Sequence, residues 1–595
     1  MSASLKPYPL PSNLAGVALT KGGQTAWWGC ADLAGGGRTT VVCAQRGKTP
    51  ASVLPVELDA TTFVHGYPGQ GWTVTSEGLV SFNARDGRLH IISGGTSRPL
   101  TPALGGGVQY ADLHVVPGTN MVVAVRESLT APEHSIIAAD LSGSGGSVPL
   151  FTSSGFLGAL TVSPSGRDLA WLSWDAPDMP WEAATLMVGR LGHGTLMNVH
   201  AVAGGPGRSA QPAAWADGRD LFTATEESGL WTLCRVDASD GHIVARWEAP
   251  QECGHAYWRL GSRSIVPWRG GAVALVGGQP WLANGSGSFR RVETKFDAWQ
   301  PWLATEGDHL IGVAGHHAAR PTVVVQDLAT GNEWMPAATP SRTVSGFPVP
   351  IDVSVKVDGR SVWARLQEPR TPRADPPPAI VIAHGGPTLS SPRYLDDDWW
   401  WLVEEGFAVA IVDYTGSSGH GQSFRDELAG QWGIHDVRDV DEVARHLQHR
   451  SLVSAVFIRG VSAGGWTALH SLRRRQTPFA AGTAYAPVTD LDAQERQTPQ
   501  FERGYVRRLV GQADRSPVND MRGDMNPVLV IQGAADPVVR AQTTDRYIDK
   551  LAAAGVRHRY LRLEGEGHLL RGQSAVNTAR QAELDFYLDI LNGTI

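Results

Sequence analysis

The chain has 595 residues, of which 42% are hydrophobic and 18% charged, and carries a formal net charge of −7. This length exceeds one ordinary core, so two or more domains are expected, and the composition excludes a disordered chain. The mild negative charge argues against nucleic-acid binding, and no apolar run approaches the roughly eighteen residues a membrane helix needs.

The first residues, Met1 to Pro7, lack the apolar stretch of a secretory leader. Cys30, Cys43, Cys234 and Cys253 show no C-x-x-C spacing. They read as free thiols in a reducing compartment rather than as zinc ligands or a disulfide framework, so the expected location is cytoplasmic.

Up to about residue 335 the chain is rich in Gly and Trp and broken by frequent turns. Val122 to Val125, Leu169 to Leu172 and Leu221 to Ala224 are short β-prone runs, each preceded by a turn ending at Gly118, Gly166 or Gly218. These turns recur about every fifty residues, the period of propeller blades. Leu160 to Trp171, containing Ser163-Pro164-Ser165-Gly166, is the clearest copy. About 300 residues at this period give six to eight blades, with seven favoured. Stacked β-sandwiches would also supply short strands, but not the long repeat.

From about residue 345 the pattern changes. Ala379–Ala383, Ala408–Val412, Ala455–Ile458 and Val528–Ile531 are continuous apolar runs, as in buried parallel strands. Helical stretches at Val437–His449 and Ala541–Ala554 lie between them. The alternation predicts a doubly wound, mostly parallel α/β domain, with Pro369 to Pro378 as a surface loop. The expected division is a propeller over residues 1–340 and a catalytic domain over residues 341–595. The boundary falls near Pro340 to Val344, and residues 1–20 are free to pack on the second domain.

Three strings in the second half carry the chemistry. Gly460-Val461-Ser462-Ala463-Gly464 follows an expected strand and precedes a helical stretch from Trp466 to Arg474, the context of a nucleophile elbow. Asp536 leaves the C-terminal end of strand 528–532, and His568 sits in the Gly-flanked loop Gly565-Glu566-Gly567-His568. Ser, then Asp, then His is the chain order of an α/β-hydrolase triad. A serine hydroxyl needs an imidazole to take its proton and a carboxylate to orient that imidazole. His470 lies over two helical turns from Ser462, about 12 Å away, and cannot serve as base. His558 reads as a strand residue. Asp545 and Asp549 fall on a helix; Asp490 and Asp492 are weaker rivals for the acid. The oxyanion hole should combine the amide of Ala463 with the loop His384-Gly385-Gly386-Pro387, through Gly385 and Gly386. His384 belongs to that loop and is not the base. No metal or phosphate motif stands out, and no cofactor is expected.

The combination resembles the prolyl oligopeptidase family of serine peptidases, and within it the branch of acylaminoacyl peptidases and bacterial dipeptidyl peptidases. The likeness rests on His384 to Pro387, Asp413 to Gly421, Gln431 to Asp436, the three triad strings, and Ser163 to Trp174 with Met179 to Trp181. It implies a serine peptidase for short peptides that releases dipeptides or acylated terminal residues, with the propeller limiting substrate size. It also implies an apolar specificity pocket at Val488, Leu491, Phe501 and Val539. Thr415 and His420 stand where relatives often carry Arg and Tyr, and Gly66 where an acidic residue is usual. Glu226 and Glu227 fall where an acidic residue is common in a blade turn. A hydrolase or acyl-transfer enzyme for a small amide or ester is the alternative, and an inactive binding propeller the third reading. The expected partner is a short peptide or small amide or ester substrate, with no nucleic acid or membrane; homo-oligomer formation is compatible with the sequence.

Overall fold

The computed structural model describes residues 14–32, 37–143, 146–192, 194–285, 287–336, 346–396 and 398–594. Seven four-stranded antiparallel sheets follow one another along the chain, spanning 15–52, 72–99, 108–153, 156–204, 214–247, 265–291 and 298–334. Each uses consecutive strands, so each is one blade of a seven-bladed propeller. The fifty-residue repeat has a concrete origin. The turns at Gly118, Gly166 and Gly218 all join the first and second strands of their blades. Gly118 and Gly166 have φ of 73° and 69°, a left-handed conformation in which a Cβ would be strained. Blades one and seven close the ring through an apolar cluster that includes Val17, Trp28, Trp302 and Val323. Of the first twenty residues, Ala15–Thr20 form the first strand of blade one, and residues 1–13 lie outside the described residues. The expected boundary at Pro340 to Val344 lies outside the described residues.

The second domain is built on one eight-stranded sheet. Its order is Ile351–Val357, Arg360–Gln367, Ala408–Asp413, Ala379–Ala383, Val456–Val461, Gly482–Tyr485, Val528–Gly533 and His558–Leu563. The first two strands join antiparallel and the remaining ladders are parallel. Ala379–Ala383 and Val528–Gly533 are buried at every position, as strands covered by helices on both faces must be. The helix His435–His449 buries Val437, Val440, Val443, Ala444 and Leu447, a stripe at the three-to-four residue spacing that turns one face to the sheet. The four cysteines are unpaired, and no helix among the described residues is long and apolar enough to cross a membrane.

The two domains share a core. One apolar cluster contains Phe156, Trp174, Trp181 and Trp258 of the propeller together with Ala463, Val488, Phe501, Tyr505 and Val539 of the hydrolase. The Trp258 indole N–H donates to the Thr388 carbonyl at 2.8 Å. Arg425 forms two hydrogen bonds to Glu226, at 2.5 and 3.2 Å, and the two side chains are only 3% and 0% exposed. The Gly419 amide donates to Glu252 at 2.7 Å.

A charge left buried without its partner is costly, whereas an exposed pair contributes little. Glu226→Ala should therefore destabilise the protein by about 3–5 kcal/mol. Glu227→Ala removes a partner of Arg246 from the surface and should cost under about 1 kcal/mol. Thermal denaturation of both variants checks this, and equal melting temperatures would contradict it.

Candidate active site

Ser462, Asp536 and His568 come from the C-terminal ends of three strands of the parallel sheet, the edge where such sheets gather their ligands. Ser462 ends strand Val456–Val461 and directly precedes helix Ala463–Leu472, which starts three residues earlier than the sequence suggested. Its backbone stands at φ 54° and ψ −115°, a strained conformation for a side-chain-bearing residue. The neighbouring glycines make room for that turn. A Cβ on Gly460 would lie 1.9 Å from the Gly464 carbonyl oxygen, and one on Gly464 would lie 2.0 Å from that of Ala383. Neither glycine is needed for a positive φ; the positive φ belongs to the serine itself.

Asp536 is buried and held on all sides. Its Oδ1 accepts from the amides of Val538 and Val539 at 2.8 and 2.9 Å, and its Oδ2 from the Gln532 side-chain amide at 3.1 Å. His568 Nδ1 lies 2.8 Å from Oδ2. An ionised carboxylate only accepts, so Nδ1 carries the proton and the Nε2 lone pair is left free. No hydrogen bond joins Ser462 Oγ to His568 among the described residues. Such contacts are often long before substrate binds.

The two loops are locked together. The Ala535 amide donates to the Glu566 carbonyl at 2.9 Å, and the Glu566 carboxylate accepts from the amides of Arg571 and Gly572. A Cβ on Gly533 would lie 2.2 Å from the Gly567 carbonyl oxygen.

Gly385 packs beside the serine, where a Cβ would lie 3.8 Å from Ser462 Cβ and 3.3 Å from the Val461 carbonyl oxygen. Gly386 follows at φ 117°. Ala463 supplies the first amide of the helix after Ser462; the first helical bond runs from Trp466 N to Ser462 O. The other histidines are engaged elsewhere. His384 Nδ1 and Nε2 lie 2.8 and 2.7 Å from Gly385 O and Ser417 Oγ, and burial keeps its pKa below the usual value. His470 is buried against Trp466. His558 turns back to the Val556 carbonyl. Among the rival acids, Asp490 caps the helix Leu491–Gln497 through Ala493 N and pairs with Arg546, while Asp492 pairs with Arg507. Asp545 accepts from the Tyr560 hydroxyl, and Asp549 is exposed.

Val488, Leu491, Phe501 and Val539 are all buried in the cluster shared by the two domains. Phe501 is enclosed by propeller rings: it stacks on His65 at 5.2 Å and meets Phe156, Trp174 and Trp258 within 6.2 Å. The motif reading did not reach Gln532, which braces Asp536 and Val539, or the Tyr67 hydroxyl, which reaches Glu502. Gln532 lies one residue before the Gly533–Val539 string and Tyr67 one residue after Gly66, and only the fold brings them together with Asp536 and Glu502.

Tertiary packing also assembles two groups of potential metal ligands, Asp297 with His316 and His317, and Asp237 with Asp240 and His242. Neither includes a residue of the serine site.

The prolyl oligopeptidase family matches residues 394–594. A solved puromycin hydrolase is 31% identical, with a TM-score of 0.90, over 99% of this chain and 98% of that one. A puromycin-hydrolysing peptidase of Mycobacterium tuberculosis is 28% identical, with a TM-score of 0.89, over 98% and 97%. Dipeptidyl peptidase family member 6 of Caenorhabditis elegans is 28% identical over 217 residues, 33% of this chain and 29% of that protein. The match thus spans less than a third of that relative's own length.

Gly533→Ala should force apart the loops carrying Asp536 and His568 and destabilise the protein by about 1–3 kcal/mol. Gly567→Ala meets nothing within 4 Å and should be close to neutral. Melting temperatures that do not separate the two variants would contradict this packing.

Proposed function

We propose, because the chain belongs to the prolyl oligopeptidase family of serine peptidases, that Ser462, His568 and Asp536 form its catalytic triad. The observation that carries this reading is the 2.8 Å contact of His568 Nδ1 with a carboxylate already held by two backbone amides, one loop away from a serine on a strained elbow. With Nδ1 committed to Asp536, Nε2 faces the task of taking the Ser462 proton. Ser462 Oγ then attacks the substrate carbonyl carbon. The developing oxyanion is received by the Ala463 amide and by the Gly385–Gly386 segment. Collapse of the tetrahedral intermediate breaks the C–N bond, and His568 returns the proton to the leaving amine. Water, deprotonated by the same imidazole, hydrolyses the acyl-enzyme.

The substrates proposed are short peptides cut near one end. The shared apolar core holds the propeller over the sheet edge that carries Ser462, which supports a limit on substrate size. A cleft of about 490 Å³ in the propeller, lined by Arg38, Phe63 and Phe82, meets the hydrolase at Arg571, which stands three residues after His568. It is the proposed way in for a peptide. A second reading, hydrolysis of a small aminoacyl amide by the same triad, is favoured by the two full-length neighbours whose names state puromycin hydrolysis.

Ser462→Ala should abolish hydrolysis and fluorophosphonate labelling while leaving the melting temperature within a few degrees. His568→Ala and Asp536→Asn should each lower kcat by about 10⁴-fold, since the three groups act as a unit and the amide cannot hold the required tautomer. A damaging Asp490→Asn beside a mild Asp536→Asn would move the acid elsewhere.

The size limit has its own test. The enzyme should cleave a peptide of a few residues and leave native albumin intact over the same incubation. Equal rates on both would rule out a gating propeller.

A further inference from the structure

The cleft of about 490 Å³ where the propeller meets Arg571 is lined by three arginines and a single carboxylate. Arg38 is already engaged: it pairs with Asp32 at 3.0 Å and donates to the carbonyls of Pro55 and Leu58. The carboxylate, Asp59, accepts through Oδ1 from the Thr39 and Thr61 amides and the Thr61 hydroxyl, at 3.0, 2.9 and 2.6 Å. No acidic side chain pairs with Arg85 or Arg571 among the described residues. The Arg571 guanidinium lies 5.8 Å from the centre of the Phe63 ring, and a Cβ on Gly37 would stand 3.7 Å from the Arg571 Cβ. Phe63, Phe82, Val108 and Leu129 give the wall its apolar part. Positive charge in excess over an apolar floor, in a volume of the size small ligands occupy, is complementary to a short chain that ends in an anion.

The position of Arg571 gives that anion a place in the reaction. An imidazole that returns a proton to the leaving amine must stand beside the leaving fragment, so that fragment lies on the side of His568. Arg571 follows His568 by three residues, which holds their Cα atoms within about 11 Å of each other. Glu566 fixes the turn between them, its carboxylate accepting from the Arg571 and Gly572 amides at 2.7 and 3.1 Å. On the propeller side, the cleft residue Phe63 is two residues from His65, which stacks on Phe501 in the cluster that also holds Val539. We propose that Arg571 and Arg85 bind the C-terminal carboxylate of the leaving fragment. The substrate class is then short peptides with a free carboxyl terminus and up to about three residues beyond the cut, since an extended residue spans about 3.5 Å. Amidation of that terminus removes the charge that the two guanidiniums bind. This assignment rests on the serine-peptidase reading and adds to it the end of the substrate that leaves.

The preference is measured with trialanine and tetraalanine, each beside its C-terminal carboxamide, by following the products with mass spectrometry. The wild-type enzyme should favour the acid of each pair by roughly tenfold or more in kcat/KM, because a hydrogen bond between charged groups contributes more than a neutral one. Arg571→Gln and Arg85→Gln should each shrink that ratio, chiefly by raising KM for the acid, and the double variant should bring it to about one. The wild-type ratio needs no variant, so a variant that fails to fold leaves the test intact. A wild-type enzyme that cuts the amides as fast as the acids overturns the assignment. So do variants that slow acid and amide alike, because the arginines would then act through the loop of His568. In both cases the serine-peptidase reading stands. Absence of hydrolysis of all four peptides by protein whose Ser462 reacts with a fluorophosphonate overturns that reading, and the anchor with it.

Discussion

The backbone of Ser462 is the constraint on which the candidate site depends. A side-chain-bearing residue at φ 54° and ψ −115° persists only where its surroundings leave no alternative. Here the surroundings are a central parallel strand on one side and a helix on the other. Gly460 and Gly464 pack so closely against Gly464 O and Ala383 O that a single methyl group would not fit at either position. The same closeness brings strand Ala379–Ala383, and with it Gly385, alongside the serine. One strained residue thus fixes where the hydroxyl points and which glycine loop stands beside it.

The acid and the histidine obey a different rule. They lie on loops, and loops need bracing to be precise. Asp536 receives two backbone amides, a glutamine side chain and the imidazole, which use the acceptor capacity of both its oxygens. Glu566 gathers the turn after His568 through the amides of Arg571 and Gly572. The polar groups are paired before any substrate arrives, so little rearrangement is needed when it does.

The propeller contributes more than a cover. Its blades bring His65, Tyr67, Phe156, Trp174 and Trp258 around a hydrolase phenylalanine, so each domain supplies part of one aromatic cluster. The Arg425–Glu226 pair and the Trp258–Thr388 hydrogen bond tie the same surfaces together. The chain's departures from its relatives are also absorbed locally. Thr415 donates through its amide and hydroxyl to Asp439, and His420 pairs with Asp413 while stacking on Trp363 at 4.1 Å.

Much of this was legible in the chain, because local chemistry and periodicity determine it. Turn glycines recurring once per blade announced the propeller, since each marks the same hairpin. Continuous apolar runs announced the parallel strands, since both faces of such a sheet are covered. Ser462 and Asp536 each follow such a run and His568 follows the alternating strand His558–Leu563, which sets all three on one sheet edge, since parallel strands all end on the same side. What the sequence could not settle is which groups meet across long separations. Glu226 gives no hint of Arg425, nor Tyr67 of Glu502, and the strict alternation of Ile351–Val357 marks a strand without showing that it takes the sheet's edge. Those pairings were decided only by the docking of one domain on the other, because side chains hundreds of residues apart acquire neighbours only when both surfaces are built.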